Sequence, residues 1–475
     1  MAEFLDWDAG KLAAALRDGA LSAQTVMAAT LARIEARNPA VNAIVDVRDA
    51  DALLAEAREA DAVPVAERGA LHGMPIAVKA LSDVKGMRTT EGSPLFADRV
   101  ADSDSAFVAR MRAAGAIFIG KTNVPEFGLG SHSYNPVHGV TLNPYDAHRT
   151  AGGSSGGAGA ALAMNMVALA DGSDMMGSLR NPAGWNNVYG FRPSWGVVPR
   201  AVGAESFWHQ LSTIGPMARS PRDCALLLSV MAEIEPGVPF NMPAQDWSLP
   251  EACSVAGAKV GWLGDWGGAM PMEAGILPLC EAGLKVLREL GAEVENITPP
   301  FDAEAMFRSW SDLRAFALAG ELADLYEDKV KRTRLKPAAQ WEIRRGMEMA
   351  AMDLHKATKV RSDWFATAAK LFETYEVLVL PVAQMFPFPA DWDWPKEIAG
   401  VVMDTYHRWM QVMVPASLIG LPAISVPVGF GENGLPMGMQ IIGAKGKDAR
   451  VLEIAQAYHT ATLWPSKRRP PVPRA

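Results

Sequence analysis

Between residues 21 and 39 the chain reads LSAQTVMAATLARIEARNP, and apolar side chains return every three to four positions. That period lays them on one face of a helix. Ser22 stands where an N-cap is expected, and Asn38-Pro39 stands where the helix must stop. DALLAEAREADA, from residue 51, repeats the pattern, so residues 7–60 are expected to form a helical arm. From about residue 70 the texture changes. PIAVKAL (75–81) is a short apolar run fit for a buried strand. AFVARMRAAG then reads as a helix, and AIFIGKTN as a strand with its following loop. Alternating strands and helices of this kind predict an α/β protein with a covered sheet.

The same alternation continues through residues 149–178. RTAGGSSGG is expected to be a loop, because its glycines permit positive φ and close backbone approach. GAGAALAMNM is apolar on every side and predicts a buried helix. VALAD predicts a buried strand, and GSDMMGS the loop after it. The preceding LNPYDAHRTAG is polar and contains proline, so it is not read as a strand. Further on, LKVLRELGAEVENI predicts a helix and then a strand, residues 302–378 are mainly helical, and EVLVLPV and AISVPVGF are strand-like. FPFPADWDWP (386–395) reads as a surface loop or a pocket wall. The chain shows no internal repeat and no linker that would divide it. One domain over residues 1–475 is expected, with the arm at 1–60 and a Pro-rich basic tail at 465–475.

Composition narrows the functional classes. Nearly half of the 475 residues are apolar and the formal net charge is −8. That balance argues against a nucleic-acid partner, which calls for a basic face. Lys467, Arg468, Arg469 and Arg474 form the one basic cluster, read as a solvated end. The apolar stretches are alanine-rich and too short or glycine-broken to span a bilayer. The first residues, MAEFLDWDAGKL, lack the apolar run of a signal peptide. A cytoplasmic protein with no membrane partner is the expectation. Cys224, Cys253 and Cys280 are far apart and odd in number, which suggests reduced thiols rather than disulfides or zinc ligands. The histidines show no H-x-x-x-H pair, so neither metal nor cofactor is expected. His132 and His138 are read as structural.

Three hydroxyls, Ser154, Ser155 and Ser178, stand in the two glycine-rich loops. Gly152-Gly153-Ser154-Ser155-Gly156 fits G-x-S-x-G, but a nucleophile elbow needs a strand before it. A phosphate loop needs a pattern that is missing here. A third chemistry fits better: a serine nucleophile served by a relay serine and a neutral lysine. Lysine has a reference pKa of about 10.4, and lowering it by about three units requires roughly 4 kcal/mol. Burial in an apolar strand such as PIAVKAL supplies that by disfavouring the charged form. Backbone amides of the second loop could then hold an oxyanion.

GGSSGGAGAALAMNMVALADGSDMMGSLRNPA resembles the signature block of the amidase signature hydrolases. LHGMPIAVKALSDVKG, AGAIFIGKTNVPEFG, TLNPYDAHRTAGGSSGG and GLPAISVPVGF extend the resemblance over nearly the whole chain. It implies a single large α/β/α sandwich around a mixed twisted sheet, with an N-terminal helical arm that often supports a homodimer. It also implies a Ser–cisSer–Lys triad. Ser178 would be the acyl-forming nucleophile, Ser154 the relay serine within a cis peptide 24 residues earlier, and Lys79 the base. The amides of Met175, Met176, Gly177 and Ser178 would form the oxyanion hole. Asp174 and Arg180 would brace the loop, and Ser155 would assist the relay or cap the following helix. Asn123 and Glu126 are expected to be structural. Gly128, Leu129 and Gly130 are expected to line the substrate's acyl pocket.

Two positions depart from the family pattern. Ala80 stands where an aspartate usually follows the lysine, leaving Asp83 as the nearby acid. Met176 stands where a glycine is usual and is expected to narrow or line the site. The activity implied is hydrolysis of the C–N bond of a small-molecule carboxylic amide, apolar or aryl. Alternatives are a carbamate or ester hydrolase with the same triad, a glutamine-hydrolysing amidotransferase subunit, and an inactive scaffold. Tyr406, Trp409, Met410 and Met413 share helical spacing and read as core or as part of an apolar substrate tunnel.

Overall fold

The computed structural model describes residues 2–199, 205 and 207–471. Its eleven principal strands are numbered in chain order: β1 Ile44–Val45, β2 Pro75–Lys79, β3 Ile117–Thr122, β4 Leu169–Asp174, β5 Tyr189–Arg192, β6 Thr213–Ala218, β7 Lys259–Trp262, β8 Glu293–Asn296, β9 Val377–Pro381, β10 Ala423–Phe430 and β11 Pro436–Gly443. Eight of them form one mixed sheet in the order β8-β7-β9-β11-β10-β5-β6-β4. β7 runs parallel to β8 and β9, and the remaining pairs are antiparallel. A smaller sheet, β1-β3-β2, holds β2 parallel to β3. β2 and β3 are buried at every position, which is why both read as mainly apolar runs.

Helices pack on the large sheet in two groups. Asp448–Thr462 touches both Pro221–Met231 and Ile276–Glu289, and all three touch the sheet. Gly156–Ala163 and Arg180–Trp185 form the second group. The fold is α/β, as expected. The arm is helical over Ala9–Arg17, Ala23–Arg37 and Ala50–Asp61. Ser22 caps the second of these by accepting the Thr25 N–H. Between the helices, β1 pairs with β3 and ties the arm to the body.

The structure corrects three readings. First, β4 runs through Asp174, so Gly172-Ser173-Asp174 is strand and not loop. Antiparallel pairing with β6 continues to Thr213↔Asp174 and overrides the glycine. Second, Leu142–Asn143 and Asp146–Thr150 form a hairpin within the stretch read as irregular. The Asn143 carboxamide accepts the Tyr145 N–H at 2.9 Å and makes the turn, a role open to a polar residue. Third, the basic tail is exposed but anchored. Arg469 pairs with Asp6 at 3.0 Å, and the Arg468 guanidinium stacks 3.8 Å from the Phe430 ring centroid. Arg474 lies outside the described residues.

Candidate active site

Lys79 is the last residue of β2 and is almost wholly buried. Its side-chain nitrogen lies 2.9 Å from Ser154 Oγ, 2.8 Å from Ser155 Oγ and 3.0 Å from Ser173 Oγ. Burial pushes its pKa down to about 7, against the opposing pull of the Asp171 and Asp174 charges. The amine is therefore poised to be neutral near pH 7. A neutral amine has two N–H donors and one lone pair, so one of its three hydroxyl neighbours must donate to it.

Ser154 follows the cis Gly153–Ser154 peptide, as the resemblance implied. Ser155 precedes the Gly156–Ala163 helix but its side chain does not cap it. Its hydroxyl lies against Lys79 instead, so the capping role expected as an alternative is not the one it takes. Ser173 was missed in the sequence, because it was assigned to a loop. As a β4 residue it points a hydroxyl at the same amine.

The acid beside Lys79 is Asp171 and not Asp83. Asp171 Oδ1 accepts the Lys79 backbone N–H at 2.9 Å, whereas Asp83 pairs with Arg99 at 2.9 Å. Burial lifts the Asp171 carboxyl to about 6. Asp171 is 92 positions away in the chain, so no local pattern near Ala80 could announce it.

Ser178 stands at the end of the second loop. It lines a cavity of about 240 Å³ together with Ser154, Ser173, Met175, Gly128 and Leu129. Thus Ser178, Ser154 and Lys79 are brought together, with Lys79 behind Ser154. Among the described residues, the Ser178 hydroxyl makes no hydrogen bond. Before substrate arrives, such catalytic contacts are often long.

Asp174 and Arg180 brace this loop, as expected. Both are fully buried, and Arg180 grips the carboxylate twice, Nε to Oδ2 and Nη2 to Oδ1, each at 3.0 Å. Arg192 adds a contact to Oδ1 at 3.1 Å. Burial alone would raise the Asp174 pKa, but the Arg180 and Arg192 charges hold it well below the usual carboxylate range. Asp174→Asn leaves two guanidinium groups buried without their anion. It should lower unfolding stability by about 3–5 kcal/mol, read by urea denaturation at pH 7.

Asp174 also narrows the set of amides open to an oxyanion. Its Oδ1 takes the Gly177 N–H at 2.8 Å, so that donor is committed. The amides of Met175, Met176 and Ser178 make no backbone hydrogen bond among the described residues. Gly177 has φ +87°, and a Cβ there would lie 2.5 Å from Met413 Cγ. Met176 is buried away from the cavity, while Met175 lines it. The expected role of Met176 thus falls to its neighbour.

Met175 is held by residues that the sequence did not single out. Trp310 Nε1 donates to its carbonyl at 3.2 Å, and Arg314 Nη1 lies 2.9 Å from its sulfur. Arg314 pairs with buried Glu342 at 2.7 Å, and the Tyr406 hydroxyl donates to the same carboxylate. This cluster joins two separate helices to a loop, so its spacing has no motif.

Other expected residues are structural. Asn123 binds Thr141 Oγ1 and the Val124 N–H. Glu126 accepts from Ser93 Oγ at 2.8 Å and from the Lys336 N–H at 3.1 Å. His132 bonds Thr150 Oγ1 and the Ala390 carbonyl, and burial holds its pKa down to about 4. His138 pairs with Asp46. Among the described residues, Cys224, Cys253 and Cys280 are free, no group of three or more side chains is placed to hold a metal, and no helix is long and apolar enough to cross a membrane.

The site thus holds a buried lysine against three serine hydroxyls, beside a cavity lined by Ser178 and Met175. Residues 25–452 match the amidase family. The chain is 33% identical over 473 residues to an acylamidase of Rhodococcus erythropolis, covering 98% of this chain and 97% of that protein. It is 34% identical to a glutamyl-tRNA(Gln) amidotransferase subunit of Ralstonia nicotianae, covering 92% and 94%. The crystal structure of a bacterial aryl acylamidase of the amidase signature enzymes superposes with a TM-score of 0.91 at 27% identity, covering 99% of both chains. A peptide amidase from Stenotrophomonas maltophilia superposes with 0.80 at 26% identity, covering 98% and 99%. The chain belongs to the amidase signature family. It is a hydrolase acting on the C–N bond of carboxylic amides.

Proposed function

We propose that the protein hydrolyses an apolar or aryl carboxylic amide through an acyl-enzyme on Ser178. Ser178 Oγ attacks the carbonyl carbon and passes its proton to Ser154, whose own proton goes to neutral Lys79. The carbonyl becomes an oxyanion held by the amides of Met175, Met176 and Ser178. The C–N bond then breaks, and the proton returns through Ser154 to the departing amine. Water attacks the acyl-enzyme by the same relay and releases the acid. The observation that carries this reading is the 2.9 Å contact between a lysine lowered to about 7 and Ser154, which lines the same cavity as Ser178.

The substrate side rests on the apolar part of the cavity wall, Leu81, Phe127, Leu129, Ile214 and Leu318, which stands beside the charged groups of Glu91, Arg314 and Glu321. Carbamates and esters present the same carbonyl to the same groups. The relatives from amidotransferases support a second reading, glutamine hydrolysis within a complex. We further propose one domain over the whole chain, working in the cytoplasm with the helical arm available for a homodimer.

The test is amine release by the isolated chain from a panel of anilides, aliphatic amides, a carbamate, an ester and glutamine. An apolar anilide should lead the panel. Turnover of glutamine alone would overturn the reading.

A further inference from the structure

A second cavity, of about 370 Å³, lies on the other side of Leu129. Its wall carries the rings of Tyr134, Trp341, Trp394, Tyr406 and Trp409, beside His132, Lys336, Asp393 and Asp404. A volume of this order suits a small organic ligand, and such a wall suits a flat ring. Leu129 lines both cavities. Its side chain is buried, and its carbonyl accepts from Lys336 Nζ at 2.5 Å. Glu126 fixes the Lys336 N–H, so the 126–129 turn is fastened to the start of the Pro337–Met347 helix.

The direction of the chemistry says which part of a substrate meets this wall. The departing amine takes its proton from Ser154, so it must leave beside Ser154. Gly128 is the residue there: a Cβ on it would stand 3.5 Å from Ser154 Oγ. Gly128 has φ +70°, and that Cβ would also come within 2.8 Å of Leu81, so the backbone itself forms this edge. The next residue is Leu129, and beyond it lies the aromatic cavity. The acyl part is carried by Ser178, which shares the wall of the first cavity with Met175 and Ile214.

Resting on the amidase reading above, we infer that the aromatic cavity behind Leu129 is the subsite for the leaving amine, and that it takes an arylamine ring. The loop Gly128–Gly130 then serves the amine side, where the resemblance had assigned it to the acyl side. Tyr406 lines this cavity and donates to Glu342, which holds Arg314 against Met175. The leaving-group wall and the oxyanion loop are thus connected by one buried polar cluster.

The test compares substrates with one acyl group and different amines. Butyramide, butyranilide and N-(2-naphthyl)butyramide share an acyl-enzyme, so they differ only in acylation. Phenylacetamide carries the ring on the acyl side instead. Ala338→Phe fills the cavity from the first turn of its helix, and Trp341→Phe trims the wall while keeping a ring against Tyr406 and His407. Both variants should lose about tenfold or more in kcat/KM for the two aryl amides, while butyramide and phenylacetamide stay within about twofold of the parent. A selective loss on phenylacetamide would put the acyl part in this cavity and overturn the inference. Equal loss on all four substrates, or no loss on any, would overturn it too. If the parent hydrolyses none of the four, it is the amidase reading that has failed.

Discussion

Ser178→Ala should reduce amide turnover by roughly 10,000-fold or more, to the level that binding and the oxyanion amides alone support. The substitution removes one oxygen from the cavity wall. The backbone contact of residue 178, its carbonyl accepting the Ser155 N–H at 3.2 Å, does not depend on the side chain. The variant should therefore fold and bind substrate as the parent does. Circular dichroism, together with substrate protection against thermal unfolding, separates loss of chemistry from loss of fold. Residual turnover within tenfold of the parent would assign the nucleophile elsewhere.

The second large effect belongs to Lys79 and is a matter of pH. The base must be neutral to accept a proton. Burial sets its pKa at about 7, so the amine is protonated below that pH and neutral above it. kcat/KM should fall tenfold per pH unit below about 7 and level off above it. The negative charge of Asp171 raises the pKa of Lys79, so Asp171→Asn should move the limb to lower pH. Lys79→Ala should lower kcat/KM by about 100- to 10,000-fold and abolish the limb. A parent profile that is flat from pH 5 to 9 would remove the lysine from the proton path.

The parts of this site legible in the sequence were those that sit within one short segment. Ser154, Ser155, Asp174, Ser178 and Arg180 fall inside 27 consecutive residues, and their glycine spacing reflects backbone that must pass close to other groups. Lys79 was legible because a lone cation inside an apolar strand stands out. Asp171, Arg314 and Glu342 were not, because their roles come from pairings between distant elements. Ser173 was hidden by a strand boundary: pairing with β6 extended β4 past the glycine at which local reading ended it. β6 and β11 escaped notice for a related reason. TIGPMA and PMGMQIIG carry glycine and proline, and their positions in the sheet outweigh those local breakers. The aromatic cavity was partly visible in Tyr406 and Trp409, and in the 386–395 segment, which supplies Asp393 and Trp394 to its wall. Their convergence with Trp341 depends on tertiary packing alone.

The most direct test of the central claim is covalent labelling by a small fluorophosphonate, with the modified peptide located by mass spectrometry. One adduct on Ser178, formed far more slowly in Lys79→Ala, is the predicted result. An adduct on Ser154 or Ser173, or labelling of Ser178 at the same rate without Lys79, would contradict it.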